Sequence, residues 1–351
     1  MEEMLKFDTK LLKCPTVKEA KFYEKAGDAD VICLTCERRC KISDGSRGFC
    51  GTRVNLEGRL YTIVYGNISS ISVNPIEKKP FFHFHPGTLA LTVGTWSCNF
   101  TCPWCQNYDI SKVQPDPRKA DYLSPERFVE IAWENGCSGT SISFNEPTLL
   151  LEYSLDLFPL AKKQGLYNTY VSNGYMTAQA LEALAEAGLD AIKFDVKGDK
   201  EVYEKYCGGV KIDVVWRNAR RAKELGLHVE IVNLVIPGVN DDEECLRSLI
   251  ENHLKELGPD TPLHFTRYHP EYKFNAPPTP VKTLEKAREL ARSMGILFPY
   301  IGNVPGHKYE NTWCPGCGEL LIKRLGFTVV SNKITSENEC PNCGFKIPIV
   351  Q

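Results

Sequence analysis

The stretch TLALTVGTWSCNFTCPWC, residues 88–105, runs from a short apolar, β-branched segment directly into three cysteines, Cys98, Cys102 and Cys105. The first half reads as a buried strand and the second as the loop at its C-terminal end. Structural metal sites are closed by four protein ligands, whereas reactive ones keep a position open. A C-x-x-x-C-x-x-C loop can hold three corners of an iron–sulfur cube and leave one iron without a protein ligand. The missing fourth cysteine therefore reads as a place for a substrate or cofactor. The alternative is a zinc or structural cluster completed by a ligand from elsewhere.

Working outward, similar apolar runs recur at GTSISFN (139–145), YNTYVSN (167–173), LDAIKFDV (189–196), LHVEIVNLVI (227–236), PLHFTRY (262–268) and ILFPYIG (296–302). Amphipathic helical patterns lie between most of them, several opening at Ser, Thr or Asp and closing at Gly. Strands buried on both faces and alternating with helices predict a parallel sheet with right-handed crossovers. Seven such strands fit an α/β fold with a partial (β/α) TIM-like barrel over 88–305 better than a complete eight-fold one. Chemistry in such barrels gathers at the C-terminal ends of the strands. Residues 1–87 form a cysteine-rich metal-binding region with a short helical run near TVKEAKFYEKAG and one or two strands within 59–76. Residues 306–351 form a zinc-ribbon or rubredoxin-like domain.

The bulk composition is that of an ordinary soluble protein: 351 residues, 42% hydrophobic, 25% charged, net charge −2. No basic excess asks for nucleic acid. No run approaches the ~18 apolar residues of a membrane span, and MEEMLKFDTKLLK lacks the apolar core of a secretory signal. A cytoplasmic protein is expected. Fifteen cysteines stand out. Their close C-x-x-C spacings predict metal ligation in a reducing compartment rather than disulfides.

The pattern Cys98-Asn-Phe-Thr-Cys102-Pro-Trp-Cys105, with an aromatic before the last cysteine, resembles the signature of radical S-adenosylmethionine (radical SAM) enzymes. The resemblance implies a 4Fe–4S cluster on these three cysteines, with S-adenosylmethionine chelating the open iron. Reductive cleavage would then give a 5′-deoxyadenosyl radical that abstracts hydrogen from an organic substrate. It also implies a low-potential donor such as a ferredoxin or flavodoxin. Ser143-Phe144-Asn145-Glu146-Pro147 stands where relatives carry G-G-E. Glu146 would accept from the cofactor's ammonium, although both glycines are replaced, and a turn glutamate before a proline is the alternative. Val171-Ser172-Asn173-Gly174 and Asp195-Val196-Lys197 resemble the T-N-G and D-L-K segments of pyruvate formate-lyase activating enzyme. That likeness assigns Ser172, Asn173, Asp195 and Lys197 to the methionine and ribose parts. Val171 stands where that activase has a cation-binding Asp, so the likeness does not extend to that cation. Ile236-Pro237-Gly238 resembles the V-P-G segment near the adenine. Tyr268 and His269, at the sixth strand end, are candidates to face the substrate; a His satisfied within a turn is the alternative.

Further segments, among them CLTCERRCKISDGSRGFC (33–50), HFHPG (83–87) and GNVPGH (302–307), extend the resemblance over nearly the whole chain to the radical SAM component of the AmmeMemoRadiSam system. This implies other components of that system as partners, and no particular substrate. Cys33, Cys36, Cys40 and Cys50 can close a site: zinc in a core-poor segment, or an iron–sulfur cluster that could relay electrons. Cys314, Cys317, Cys340 and Cys343, in two C-P-x-C-G knuckles, read as a zinc ribbon with rubredoxin-like iron as the alternative. His83 and His85 are expected on one side of an extended strand, packing rather than ligating. Cys14, Cys137, Cys207 and Cys245 read as unligated, with Cys207 the one suited to a strand-end role.

Three functions compete. The first is a radical enzyme on a protein, lipid or small-molecule substrate, with a glycyl-radical activase as its variant. Residues 106–138 contain only Cys137, so the ferredoxin-like insert of well-known activases is missing. The second is a zinc-ribbon protein that binds RNA or another protein with its barrel as scaffold; the near-neutral charge weighs against nucleic acid. The third is an electron carrier, which would need neither a large barrel nor a cofactor pocket.

Overall fold

Residues 7–351 are described by a computed structural model. They fall into two units, each taken by itself. Among the described residues, the first comprises 7–73 with 91–101 and 107–190; the second comprises 74–90, 102–106 and 191–351.

The first unit begins with short antiparallel strands: β1 (Lys18–Glu19), β2 (Tyr23–Lys25), β3 (Val31–Cys33), β4 (Lys41–Ile42), β5 (Arg53–Leu56) and β6 (Arg59–Thr62). β6 pairs with β5 and β1, and β3 with β2 and β4. The helical run expected in TVKEAKFYEKAG is corrected here, because the segment is divided between β1 and β2. Pairing with β6 and β3, continued by Ala20 N–H donating to Leu60 O at 2.8 Å, outweighs local propensity. Next come β7 (Ser70–Pro75), β8 (Leu89–Gly94), β9 (Gly139–Ile142) and β10 (Tyr167–Ser172), neighbours in that order. The β9–β10 pair is parallel. β7 adds a strand to the seven read from the alternation. Gly139 is required, since a Cβ there would lie 2.0 Å from the Tyr167 ring. Four helices follow their strands: α1 (Tyr108–Ser111), α2 (Pro125–Glu134), α3 (Leu151–Lys163) and α4 (Ala178–Ala187). Ser124 and Thr177 cap α2 and α4 by accepting from Arg127 N–H and Ala180 N–H. A buried ion pair, Arg53 Nη1 to Glu152 Oε2 at 2.7 Å, fastens the β5–β6 hairpin to α3.

In the second unit β11 (Ala191–Asp195), β12 (His228–Val235), β13 (Leu263–Arg267) and β14 (Pro299–Gly302) pair in parallel in that order. With them run α5 (Lys200–Tyr206), α6 (Ile212–Glu224), α7 (Glu243–Leu257) and α8 (Val281–Ser293). α5 was not legible as an apolar pattern. It is short and set by Asp199, which caps it at Val202 N–H. β15 (Thr312–Trp313), β16 (Leu320–Leu325) and β17 (Thr328–Asn332) make a small antiparallel sheet. Its Leu321 and Ile322, with Ile347 and Ile349, share one apolar core with Phe82, Phe298 and Tyr300. The knuckle segment is therefore built onto β14. No described helix is long and apolar enough to cross a membrane.

PFFHFHPG is not an extended strand, which corrects the expected placement of His83 and His85. It is a bent segment with one bridge, Phe84 to Val350, and His85 takes φ +43°. The buried Glu230 carboxylate shapes it, accepting from Phe82 N–H and His83 N–H at 2.8 Å each. Burial opposes the Glu230 charge, but His228 and His264 outweigh it and lower its pKa. His83 packs: its ring meets Tyr300 Oη at 2.6 Å and Pro348 O at 2.9 Å.

Burial pulls His83 and His253 down to about 4. An unfolded histidine takes up its proton near ~6.5, so each depressed pKa gives stability that is present above ~6.5 and lost as pH falls toward 4. His253 Nε2 meets only Thr261 O, at 3.0 Å. His253→Gln is expected to flatten the fall of the urea midpoint between these pH values. An unchanged slope would show that His253 does not titrate this way.

Candidate functional site

In the first unit the loops after β8, β9 and β10 meet at Cys98. β8 ends against the β9 loop because Asn145, the residue before Glu146, grips the backbone on both sides. Its Oδ1 accepts from Thr95 N–H at 3.1 Å and its Nδ2 donates to Ser97 O at 2.7 Å. Ser97, at φ +70°, then turns the chain into the cysteine loop, and Phe100 N–H points at Cys98 Sγ, 3.4 Å away.

Glu146 is buried and caps the short helical turn before α3. Its Oε1 accepts from Thr148 N–H (3.0 Å), Thr148 Oγ1 (2.5 Å) and Ser172 Oγ (2.8 Å), and its Oε2 from Asn173 N–H (2.8 Å). Burial raises its pKa against those hydrogen bonds. Asn173 in turn donates through Nδ2 to Asn99 Oδ1 at 2.7 Å, and the same nitrogen is 4.0 Å from Cys98 Sγ. The structure thus brings together Cys98, Glu146, Ser172 and Asn173 from the sequence reading. It adds Asn145 and Asn99, which that reading passed over. Asn145 occupies one of the replaced glycine positions, and Asn99 lies inside the cysteine motif; those placements were the available signals.

Cys33, Cys36, Cys40 and Cys50 line one pocket in this unit. Burial pushes the Cys33 and Cys36 thiols up, so a metal that binds thiolates must displace their protons. The loop carrying them is fixed to the segment after β10: Glu37 N–H donates to Tyr175 O at 2.9 Å and Thr177 Oγ1 to Leu34 O at 2.7 Å.

In the second unit Cys102 is buried with its Sγ 3.9 Å from Cys207 Sγ. Trp104 packs against Tyr206 and Phe274 at ring separations of 5.3 and 5.6 Å. Asp195 pairs with Lys193 and with Lys197, the latter at 3.2 Å. Burial would raise the Asp195 carboxyl, but Lys193 and then Lys197 hold it at about 2. Burial likewise disfavours the Lys197 ammonium, and Asp195 followed by Cys102 more than restores it. Gly238, at φ +72°, donates its N–H to Asp241 Oδ1 at 2.8 Å. Tyr268 and His269 differ in their surroundings. Tyr268 is buried and donates its hydroxyl to Phe274 O at 2.7 Å, while His269 is exposed.

Cys314, Cys317, Cys340 and Cys343 are the one group of this kind among the described residues whose ligand atoms all lie within 4.8 Å of each other. Cys314–Cys343 and Cys317–Cys340 sulfur separations are 3.5 and 3.7 Å. Four sulfurs at ~2.3 Å from one tetrahedral ion stand roughly 3.8 Å apart, so this donor set fits a single metal. Gly318 and Gly344, at φ +76° and +72°, give both knuckles their left-handed turn. Asn342 and the Glu319 backbone bring the Cys317 thiol down to about 6.

Comparison with known proteins places these features. The profile of the Radical SAM superfamily matches residues 93–249. The chain is 43% identical over 336 residues to an uncharacterized protein of Methanocaldococcus jannaschii, covering 95% of this chain and 100% of that one. It is 27% identical over 230 residues to the pyruvate formate-lyase-activating enzyme of Streptococcus mutans, covering 63% and 80%. With the GTP 3′,8-cyclase of Aquifex aeolicus it is 30% identical over 152 residues, covering 42% of this chain and 46% of the cyclase.

Glu146→Gln tests the anchoring of the β10 loop. An amide keeps one acceptor oxygen and turns N–H groups toward donors, so it is expected to cost about 1–3 kcal/mol of stability in urea unfolding at neutral pH. A cost near zero would mean that the loop does not depend on this carboxylate.

Proposed function

The chain belongs to the radical SAM superfamily, and we propose that it is an enzyme that uses a 4Fe–4S cluster on Cys98, Cys102 and Cys105 to cleave S-adenosylmethionine and draw hydrogen from an organic substrate. The observation that carries this reading is the convergence of three strand-end loops on Cys98, held there by Asn145, Glu146 and Asn173. Three cysteines in one loop, with no fourth sequence neighbour, suit a cluster that keeps one iron open. When bound, the cluster and S-adenosylmethionine supply the one-electron chemistry and the carbon radical.

The chain's own residues position and protect. Glu146 fixes Ser172 and Asn173, and its Oε2, with one partner, retains a lone pair for an ammonium. Asn173 Nδ2 stands beside Cys98 Sγ, where a donor to a ligating sulfur tunes the cluster. Asp195, held ionised, suits hydroxyl donors, and Lys197 suits a carboxylate. Gly238 leaves open space where a side chain would stand, which suits a flat group close to the backbone. Phe100 and Trp104, both buried, keep water from the loop. We place the chain with the radical SAM component of the AmmeMemoRadiSam system on its extended motifs, with a single zinc or iron in the C-terminal quartet.

Electron paramagnetic resonance on anaerobically reduced protein tests the proposal. A cluster signal that shifts on adding S-adenosylmethionine is expected, and Asn173→Ala is expected to weaken the shift several-fold without removing the signal. A signal that ignores the cofactor would leave an electron carrier. No signal dependent on Cys98, Cys102 and Cys105 would leave a metal-stapled binding protein.

A further inference from the structure

We propose that Cys33, Cys36, Cys40 and Cys50 hold an iron–sulfur cluster rather than a single zinc, and that Asn99 couples this cluster to Cys98 for one-electron transfer. The ligand assignment stands on its own; the destination of the electron rests on the function proposed above.

The first ground is spacing. The C-terminal quartet is gathered as one ion requires, whereas the N-terminal quartet lines a pocket and is not among the closely gathered ligand groups of the described residues. A cube binds each cysteine on a different iron and so spreads its ligands more widely than one tetrahedral ion does. The second ground is a set of buried donors around that pocket. Thr35, Arg53 and Asn99 are at most 2% exposed. Arg53 Nε has no acceptor in the protein, and Thr35 Oγ1 and Asn99 Nδ2 find none closer than the quartet's own sulfurs. The remaining Arg53 nitrogens already donate to Glu152 Oε2 and Leu149 O. Thr35 stands beside Cys33 and Asn99 beside Cys36. Unmet buried donors are costly, and a cluster answers them with bridging sulfides as well as thiolates, where zinc brings no acceptor of its own.

The route to Cys98 is short. Asn99 faces Cys36 with its side chain and is bonded to Cys98 through the backbone. It is held from both sides: Arg38 Nε donates to its carbonyl at 2.5 Å and Asn173 Nδ2 to its Oδ1 at 2.7 Å. With such a cluster held by the quartet, one electron from a low-potential one-electron donor would enter there and pass on toward Cys98, leaving the quartet's site as it began. No bond is made or broken and no proton moves.

The test uses the full chain with Cys98→Ala, Cys102→Ala and Cys105→Ala, reconstituted without oxygen and reduced with titanium(III) citrate. About four irons and four sulfides per chain are expected, with a paramagnetic signal that S-adenosylmethionine does not move and that Cys36→Ala and Cys50→Ala abolish. Zinc in place of that iron, or no signal, would overturn the assignment. A triple variant that does not fold is covered by Cys33→Ala/Cys36→Ala in the otherwise intact chain, where iron is expected to fall from about eight to about four; unchanged iron would overturn it. In the intact chain the two reduced centres are expected to broaden each other's signals, and Cys33→Ala/Cys36→Ala to remove the broadening. Two independent, unbroadened signals would overturn the coupling. Failure of the proposed function looks different: the quartet's iron is present, but no signal in the intact chain responds to S-adenosylmethionine.

Discussion

The Glu146 carboxylate is the constraint on which the Cys98 environment depends. It sits at the end of β9, starts the helical turn before α3, and holds the β10 loop by Ser172 Oγ and Asn173 N–H. Through Asn173 the restraint reaches Asn99 and Cys98. A buried carboxylate carries a desolvation cost that only several good donors offset. Concentrating four donors on one side chain therefore makes the loop geometry cooperative: loosening Asn173 exposes the charge, and moving the charge releases Asn173.

The second unit repeats the device with another purpose. Glu230 binds two backbone N–H groups of the Phe82–His83 bend and two histidines. The bend then offers Phe82 to the apolar core of the knuckle domain, and Arg324 donates to Phe82 O at 2.8 Å. A cysteine knuckle segment of this size has little core of its own, so it borrows Phe298 and Tyr300 from the end of the parallel strands.

Much of this was legible in the chain. The strand runs from 88 to 302 and their helices appear close to their expected bounds, because apolar periodicity reports burial directly. The gathering of the C-terminal quartet was legible because C-P-x-C-G encodes both the cysteine pair and its turn. What was hidden depended on partners distant in sequence. β1 and β2 carry a helix-like composition and become strands only by pairing with β6 and β3. His83 and His85 alternate with phenylalanines as a strand would, yet Glu230 bends the segment. Glu146 stood out in the sequence as a candidate carboxylate, but not that Thr148, Ser172 and Asn173 already occupy it. Tyr268 looked available, and only the fold shows its hydroxyl committed to Phe274. The role of Asn99 depends on which residues surround it, and a motif of three cysteines says nothing about the residues between them.

Product analysis addresses the central claim most directly. The intact protein would be incubated without oxygen with S-adenosylmethionine and a strong one-electron reductant, and 5′-deoxyadenosine and methionine would be quantified. Formation of both in equal amounts, dependent on the reductant and lost on Cys98→Ala, is the expected result. A fully iron-loaded protein that leaves S-adenosylmethionine intact would contradict the account.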